Sequence, residues 1–576
     1  MAKKNKRPDI LPLTLLIVGA VFIIPFSFSM ALIDSVFILR YCELAALLFI
    51  LYLLLSRFWN KQTPSLDLSP LRQAIFPLFT GYVIISALSI FIAYSVPEAL
   101  LDSFKNVMLL FFFIAAVIII SQFPQSIPLL TRSIVSSALV MGIIGLAQYF
   151  KIAFTSLPGN FVIYATMTNK NIFASFMFFT LPFSLYGYFF LEKWWRVPSA
   201  ISLLVSLLCI VLATARAVWV AILIGGIAAA IAGGIVFRKQ ISSPQNRQKL
   251  KKTAWSILVV FFLALILYFV NMKTINFMVE TKVRGAINLD SSSYHRLLLW
   301  KKSLQMIKDH PLLGVGPGNW KIFINGYGTA GLTSAQGKVL YQRPHNDYLW
   351  IASESGILSL LLYLAFLGMG LFYQLRILKR FKNIDEQLLG LFLFFGTTGF
   401  IVISFFSFPR ERISHMVLFL IILALTVSLY HKAVPAKGQW KKPRAALWYL
   451  PYVAVLLSLG IFLFGFSRYQ SEVHLRKAQR AWNVEKWKPM IVQTQKAQSP
   501  FYTMDPTSTP VAWYLGVAKV SLKKYNQALS DFLQAYRVNP YHLQLLANLG
   551  TCYELLGKHE MAIKYFKKAL AVSPHY

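Results

Sequence analysis

Residues 294–320 read YHRLLLWKKSLQMIKDHPLLGVGPGNW, and residues 341–356 read YQRPHNDYLWIASESG. They belong to a polar island, 294–356, set between stretches that are almost continuously apolar. Chains that pass through hydrocarbon keep His, Arg, Asn, Asp and Glu close to it only where those groups are used or well paired. The flanks therefore set the fold class, and the island marks where the chemistry is to be sought.

The 576 residues are 57% hydrophobic and only 14% charged, with a mean hydropathy of +0.58. A soluble domain of this length needs far more charge on its surface, so the composition is that of a polytopic membrane protein. Apolar stretches of about twenty residues, the length that spans a bilayer, fall at about 11–29, 36–55, 74–95, 104–121, 129–150, 172–191, 197–215, 217–236, 253–271, 348–374, 387–407, 414–430 and 446–466. These thirteen predict an all-α, polytopic transmembrane helix bundle. The start, MAKKNKRPDI before an apolar run, has no small-residue cleavage site and reads as a retained first helix.

The net charge of +36 is not read as nucleic-acid binding, because no stacking platform or recognisable module accompanies it. Lys and Arg gather instead in short connections such as LEKWWR (191–196), QLRILKRFKN (374–383) and HKAVPAKGQWKKPR (431–444). Such basic connections face the cytoplasm, which places the N-terminus inside. The 30–35, 96–103 and 151–171 connections, the 272–347 loop, 409–413 and everything beyond 467 then lie outside. Cys42, Cys209 and Cys552 offer neither a disulfide framework nor a metal spacing.

Beyond about 468 the sequence turns into soluble helix. Leu515, Gly516, Ala528, Phe532, Ala535 and Pro540 recur 34 residues later as Leu549, Gly550, Ala562, Phe566, Ala569 and Pro574. This is the tetratricopeptide (TPR) pattern, with repeats at about 509–542 and 543–576. The helix 470–498 is expected to cap them. Scaffolding and recruitment of an acceptor or partner are both open roles. The expected domains are 1–466, with 272–347 as its large outer loop, and 467–576.

Four polar clusters stand at expected outer mouths, one of them the island, which holds both Arg296 and His345. Arg216, in LATARAVWV, is suited to a phosphate by its bidentate fork or anchors the chain at the interface. Arg296 opens an amphipathic helix with Leu299, Trp300, Leu304 and Ile307 spaced to lie along a membrane surface, its Lys301, Lys302 and Lys308 on the wetted face. His345, followed by Asn346 and Asp347, is placed to act as base, phosphate donor or cap, and Glu354 follows within the next span as a buried, partnered acid. Arg410 and Arg412 in PRER and Asn169, Lys170 and Asn171 in MTNKNIFA complete the set. Gly314 to Asn319 reads as a structural turn, since no strand precedes it and no GK[ST] follows. If the helices bundle, these clusters converge on one basic cavity fit for a lipid-borne pyrophosphate.

These segments, with NKNIFASF (169–176), TARA (214–217) and FSFPRERI (406–413), resemble the O-antigen ligase and O-antigen polymerase superfamily over about residues 10–430. The resemblance implies a glycosyltransferase of the GT-C type in a bacterial cytoplasmic membrane. Its donor would be an undecaprenyl-pyrophosphate-linked glycan and its acceptor a hydroxyl on lipid, glycan or protein, with no nucleotide, cofactor or required metal. By motif, Arg216 and Arg296 would bind the pyrophosphate and stabilise it as leaving group, and His345 would position or deprotonate the acceptor. Asn346, Glu354, Arg410, Arg412, Lys170 and Asn171 would form the supporting, substrate-binding shell. Some relatives carry two histidines where this chain has His345 alone. Ligase, polymerase and protein O-oligosaccharyltransferase branches share the signature; the expectation is a ligase, with a protein partner on the repeats. A lipid-linked glycan transporter is the competing class, and a structural assembly protein a third.

Overall fold

The computed structural model describes residues 11–57, 66–159, 161–238, 291–332, 340–434 and 449–576, with isolated positions between 244 and 255. The span expected at 253–271, parts of the expected outer loop (272–290 and 333–339), the basic N-terminus and most of the basic connection 431–444 lie outside the described residues. Among the described residues all long elements are helices, and the extended pairings are two isolated bridges, Ser499 with Tyr502 and Met504 with Pro510.

The first half of the bundle comprises α1 (Leu11–Ile23), α2 (Phe37–Arg57), α3 (Ile75–Leu88), α4 (Val96–Gln122), α5 (Ser126–Tyr149), α6 (Lys170–Phe190), α7 (Lys193–Ala213) and α8 (Arg216–Phe237). After α9 (Ser291–Asp309) come α10 (Asp347–Arg380), α11 (Ile384–Phe406), α12 (Ile413–Ala433) and α13 (Leu450–Trp482). Eleven of these, α2–α8 and α10–α13, are long and apolar enough to cross a membrane, α3 together with the tight turn that carries it on to Ile92. Of the other two expected spans, α1 has only 13 residues and continues as one tight turn to Phe26, and the other is 253–271. The chain is an all-α, multi-pass membrane protein.

Burial follows from apolar residues set all round the helices rather than on one stripe. The apolar windows of α4 and α12 are 83% and 89% buried, so these two form the centre, whereas α8, at 28%, lies at the edge. α7 and α8 are separate helices: Thr214 between them takes φ 51°, which ends the first before Arg216 opens the second.

Two helices extend beyond their apolar stretches. α4 begins at Val96 rather than near 104, and α13 runs unbroken for 33 residues, roughly 50 Å. Hydrocarbon accounts for about 30 Å of that length. The remainder of α13 pairs with α14 (Trp487–Ala497), and α15 (Val511–Ser521), α16 (Tyr525–Val538), α17 (Leu543–Leu555) and α18 (His559–Val572) follow as two more helical pairs. Their core holds Leu475, Ala478, Phe532 and Leu549. The repeat glycine has a physical reason here, since a Cβ on Gly516 would stand 2.3 Å from the Phe532 ring. This C-terminal part rests on the bundle. Thr329 N–H donates to the Val572 carbonyl at 2.9 Å, Arg480 donates to the Met30 carbonyl at 2.9 Å, and Glu472 accepts from the N–H groups of Ile33 and Asp34, each at 2.8 Å. We call the end of the bundle it covers the head.

Candidate functional site

The polar island is built onto a break in α10. Gly356 takes φ 81° inside that helix, which releases the carbonyls before it. Val315 N–H donates to Ser353 O and Gly316 N–H to Glu354 O, both at 2.9 Å, while Ile357 N–H returns to Pro311 O at 2.9 Å. The glycine turn is thus a structural clamp on the helix that carries Glu354. A Cβ on Gly356 would lie 1.8 Å from the Leu312 carbonyl, so only glycine fits. Asn319 completes the clamp by exchanging hydrogen bonds with the backbone of Ser95, just before α4.

The helix α9 turns Leu299, Ser303 and Met306 inward, and the Ser303 hydroxyl accepts from the Trp320 indole at 2.9 Å. Leu304, expected on the same apolar face, is exposed with Leu297 instead. The inward set is spaced i, i+4, i+7, and Trp320 selects it by offering a donor to Ser303.

His345 sits in the left-handed region at φ 56°, which is uncommon for any residue but glycine and which His, Asn and Asp enter more readily than most. It is held there from both sides: Trp300 Nε1 donates to Pro344 O at 2.9 Å, and Asn346 caps α10 by accepting from Tyr348 N–H and Leu349 N–H. The imidazole packs edge-on to the Phe408 ring at 5.1 Å. The guanidiniums of Arg343 and Arg412 lie over the same ring at 4.9 and 5.7 Å. Arg296, on α9, donates to the Phe406 carbonyl at 3.4 Å. Burial, then the charges of Arg296 and Arg343, push the His345 imidazole down to about 3, so it is neutral near pH 7. Burial would lift the Glu411 carboxyl, but Arg343 and Arg412 together hold it below its ordinary value.

Arg216 and Lys170 stand at the same end of the bundle. Lys170 Nζ donates to Thr214 Oγ1 at 2.9 Å, two residues before Arg216, which is exposed at the start of α8. Gly225 of α8 lies against Phe395 of α11, and from that contact Arg216 is nine residues up one helix and Phe406 eleven up the other. Arg216 and the carbonyl that Arg296 touches are therefore level to within about a turn. His415 links the first turn of α12 to that of α6 through Ile172 O at 2.9 Å, so Arg412 and Lys170 share that level too.

The remaining expected residues have internal duties. Asn346 is a helix cap. Asn169, rather than Asn171, is the capping side chain of α6, accepting from Asn171 N–H at 2.8 Å. Arg410 is buried: it donates to Tyr82 Oη at 3.0 Å, lies 3.6 Å from Asp102, and its backbone N–H donates to Asp347 at 3.1 Å. Arg412 meets Asp34 and Glu411, each at 3.4 Å. Glu354 accepts from Trp320 N–H at 3.0 Å.

Beside this cluster the head holds a cavity of about 90 Å³. Of the residues expected from the sequence, Glu354 alone lines it. The other acids of its wall are Asp34, Glu98, Asp102, Glu411 and Glu472, and the cations are Lys105, Lys321, Arg343 and Arg468. A signal was available for part of this wall. Glu98, Asp102 and Lys105 fall within eight residues at the mouth of a span, in a chain with only 21 acids.

Comparison with known families places this architecture. The O-antigen ligase family model matches residues 201–364, a stretch that contains Arg216, Arg296, His345, Asn346 and Glu354. The tetratricopeptide repeat model matches residues 544–576, the second of the two repeats. No curated protein matches the chain. The chain is thus a multi-pass membrane protein whose residues 201–364 are similar to the O-antigen ligase family and whose residues 544–576 are similar to a tetratricopeptide repeat.

Proposed function

We propose that this protein transfers a glycan from an undecaprenyl-pyrophosphate carrier to an acceptor hydroxyl at the outer face of a bacterial cytoplasmic membrane, as an O-antigen ligase does. The observation that carries the reading is the meeting of Arg296, Arg343 and Arg412 with His345 about Phe408, at the level of Arg216 and Lys170. Such a group of cations suits a lipid-borne pyrophosphate arriving from the bilayer. The basic helix ends, Arg57, Arg380 and Lys432, lie at the opposite end and support an outward-facing head. In this reading 1–466 is the transferase domain, 272–347 its outer loop and 467–576 an extracytoplasmic domain.

The acceptor oxygen bonds to the anomeric carbon as the bond from that carbon to the pyrophosphate oxygen breaks. The electron pair leaves with the lipid pyrophosphate, whose growing charge Arg216 and Arg296 stabilise. The acceptor proton passes to the neutral imidazole of His345. An imidazole held near 3 is by itself a poor base, but a pyrophosphate at Arg296 sets negative charge against that guanidinium and raises the basicity of the imidazole when the proton must be taken.

The test is transfer from a synthetic undecaprenyl-pyrophosphate glycan by the purified protein, beside Arg216→Ala, Arg296→Ala and His345→Ala, with lipid, glycan and protein acceptors offered separately. The expected result is product with the wild type and its loss in all three variants, the acceptor consumed naming the branch. Movement of intact donor across a reconstituted bilayer, with no product from any acceptor, would replace this reading by transport.

A further inference from the structure

We propose that the open face of α18 is the docking surface for an amphipathic helix of a partner protein, one that carries acidic residues beside its apolar stripe. The proposal is independent of the transfer reading and concerns what the repeats hold.

Comparison of the two repeats reveals the face. Leu529, Phe532 and Tyr536 on α16 recur 34 residues later as Ile563, Phe566 and Leu570 on α18. Their i, i+3, i+7 spacing puts each set on one side of its helix. Each phenylalanine meets the glycine of its own repeat alike: a Cβ on Gly516 would stand 2.3 Å from the Phe532 ring, and one on Gly550 would stand 2.5 Å from the Phe566 ring. Yet Phe532 is 0% exposed and Phe566 38%. The difference is α17, which packs on α16 and shares a core with Phe532 through Leu545, Leu546 and Leu549. The corresponding face of α18 stays open, with Ile563 and Leu570 53% and 47% exposed. In a domain set on the head rather than within the bundle, an apolar stripe with a polar rim marks an interaction site.

The first repeat also specifies the form of the occupant. What covers α16 is a helix, with Leu546, Leu549 and Tyr553 buried along one side at the same i, i+3, i+7 spacing. A helix with large apolar residues so spaced continues the stacking of the array onto α18.

Charge specifies its flank. Ser530 and Leu533, which accompany the first stripe, are replaced beside the second by Lys564 and Lys567, both exposed. The single acid of α18 is Glu560, in its first turn. Residues 468–576 as a whole hold fifteen Lys and Arg against six Asp and Glu. A second copy of this chain would set Lys564 and Lys567 against a domain of the same sign, whereas carboxylates beside the stripe of another helix would pair with them.

The experiment measures binding of two fluorescent peptides to the full chain in nanodiscs of neutral lipid. Both copy residues 541–556 with Cys552→Ser; one carries Gln544→Glu, Asn548→Glu and Thr551→Glu, and the other has lysine at the same three positions. The glutamate peptide is expected to bind roughly tenfold more tightly than the lysine peptide. In the protein, Ile563→Asp with Leu570→Asp removes binding, and Lys564→Glu with Lys567→Glu inverts the preference. All four side chains are exposed, and the charge reversal stands as a test even if the aspartate pair does not fold. Binding of neither peptide, equal binding of both, or a preference unmoved by the charge reversal would overturn the proposal. Ile563→Cys, in a chain whose own three cysteines are buried, should react readily with a soluble maleimide and be shielded by the glutamate peptide. Shielding without peptide would also overturn it: if it follows protein concentration the face belongs to a second copy, and if it follows anionic lipid the face belongs to the membrane. Glycan transfer enters none of these readings, so the two proposals stand or fall separately.

Discussion

Glu98 on α4 and Arg468 on α13 meet at 2.7 Å, and the other oxygen of the same carboxylate takes the Lys321 ammonium, also at 2.7 Å. One buried acid thus joins the centre of the bundle, the helix that carries the C-terminal domain, and the turn that follows the glycine clamp.

Glu98→Gln leaves two poorly exposed cations sharing a neutral amide. Removing one partner of a buried ion pair costs roughly 3–5 kcal/mol, so the unfolding midpoint should fall markedly. Because the three groups share one network, Glu98→Gln combined with Arg468→Met should cost less than the sum of the two single changes. Thermal unfolding of the four proteins reads both effects.

Gly356→Ala should abolish folded protein, since the new Cβ would sit 1.8 Å from the Leu312 carbonyl at a positive φ. Gly226→Ala is the matched control. It lies inside α8 with open space around it, and alanine there should be neutral or stabilising by up to about 1 kcal/mol. Size-exclusion profiles of the two variants, prepared side by side, separate these outcomes.

His345 gives a pH dependence of known sign. Its folded value of about 3 lies below the ordinary 6.5, so the unfolded chain binds the proton first. The stability it contributes is complete above about pH 6.5 and is lost progressively as the pH falls toward 3. His345→Gln should therefore flatten the dependence of the unfolding midpoint between pH 6.5 and pH 4. Arg296→Ala removes a neighbouring positive charge and should raise the imidazole's midpoint, measurable by NMR of labelled histidine.

Asn346 distinguishes a cap from a ligand. If its work is to receive the N–H groups of Tyr348 and Leu349, Asn346→Ser keeps both stability and transfer, whereas Asn346→Ala costs about 1 kcal/mol. Loss of transfer in the serine variant, with the unfolding midpoint unchanged, would assign it to the substrate.

The spans were legible in the sequence because hydrocarbon imposes length and composition together, and the repeats because Gly516 and Phe532 must recur as a pair to bring two helices close. The ends of helices were not legible. Hydropathy measures the thickness of the bilayer, not the length of the helix, so Glu98 and Asp102 fell into an assumed connection although they ride on α4. The chemistry of the island was readable as residue types but not as duties. Asn346 as cap and Arg410 as the centre of a buried network use the same groups that a substrate would, and only geometry tells them apart. The Arg343–Glu411 ion pair joins residues 68 positions apart, and no local pattern announces it.

The unbroken course of α13 has a mechanical meaning. A helix that begins within the membrane and ends inside the C-terminal domain contains no joint, and Arg468 fastens it where it leaves the bundle. The repeats therefore cannot swing like a tethered domain. They stand at a fixed height above the head, and whatever they hold is presented there as if set by a gauge.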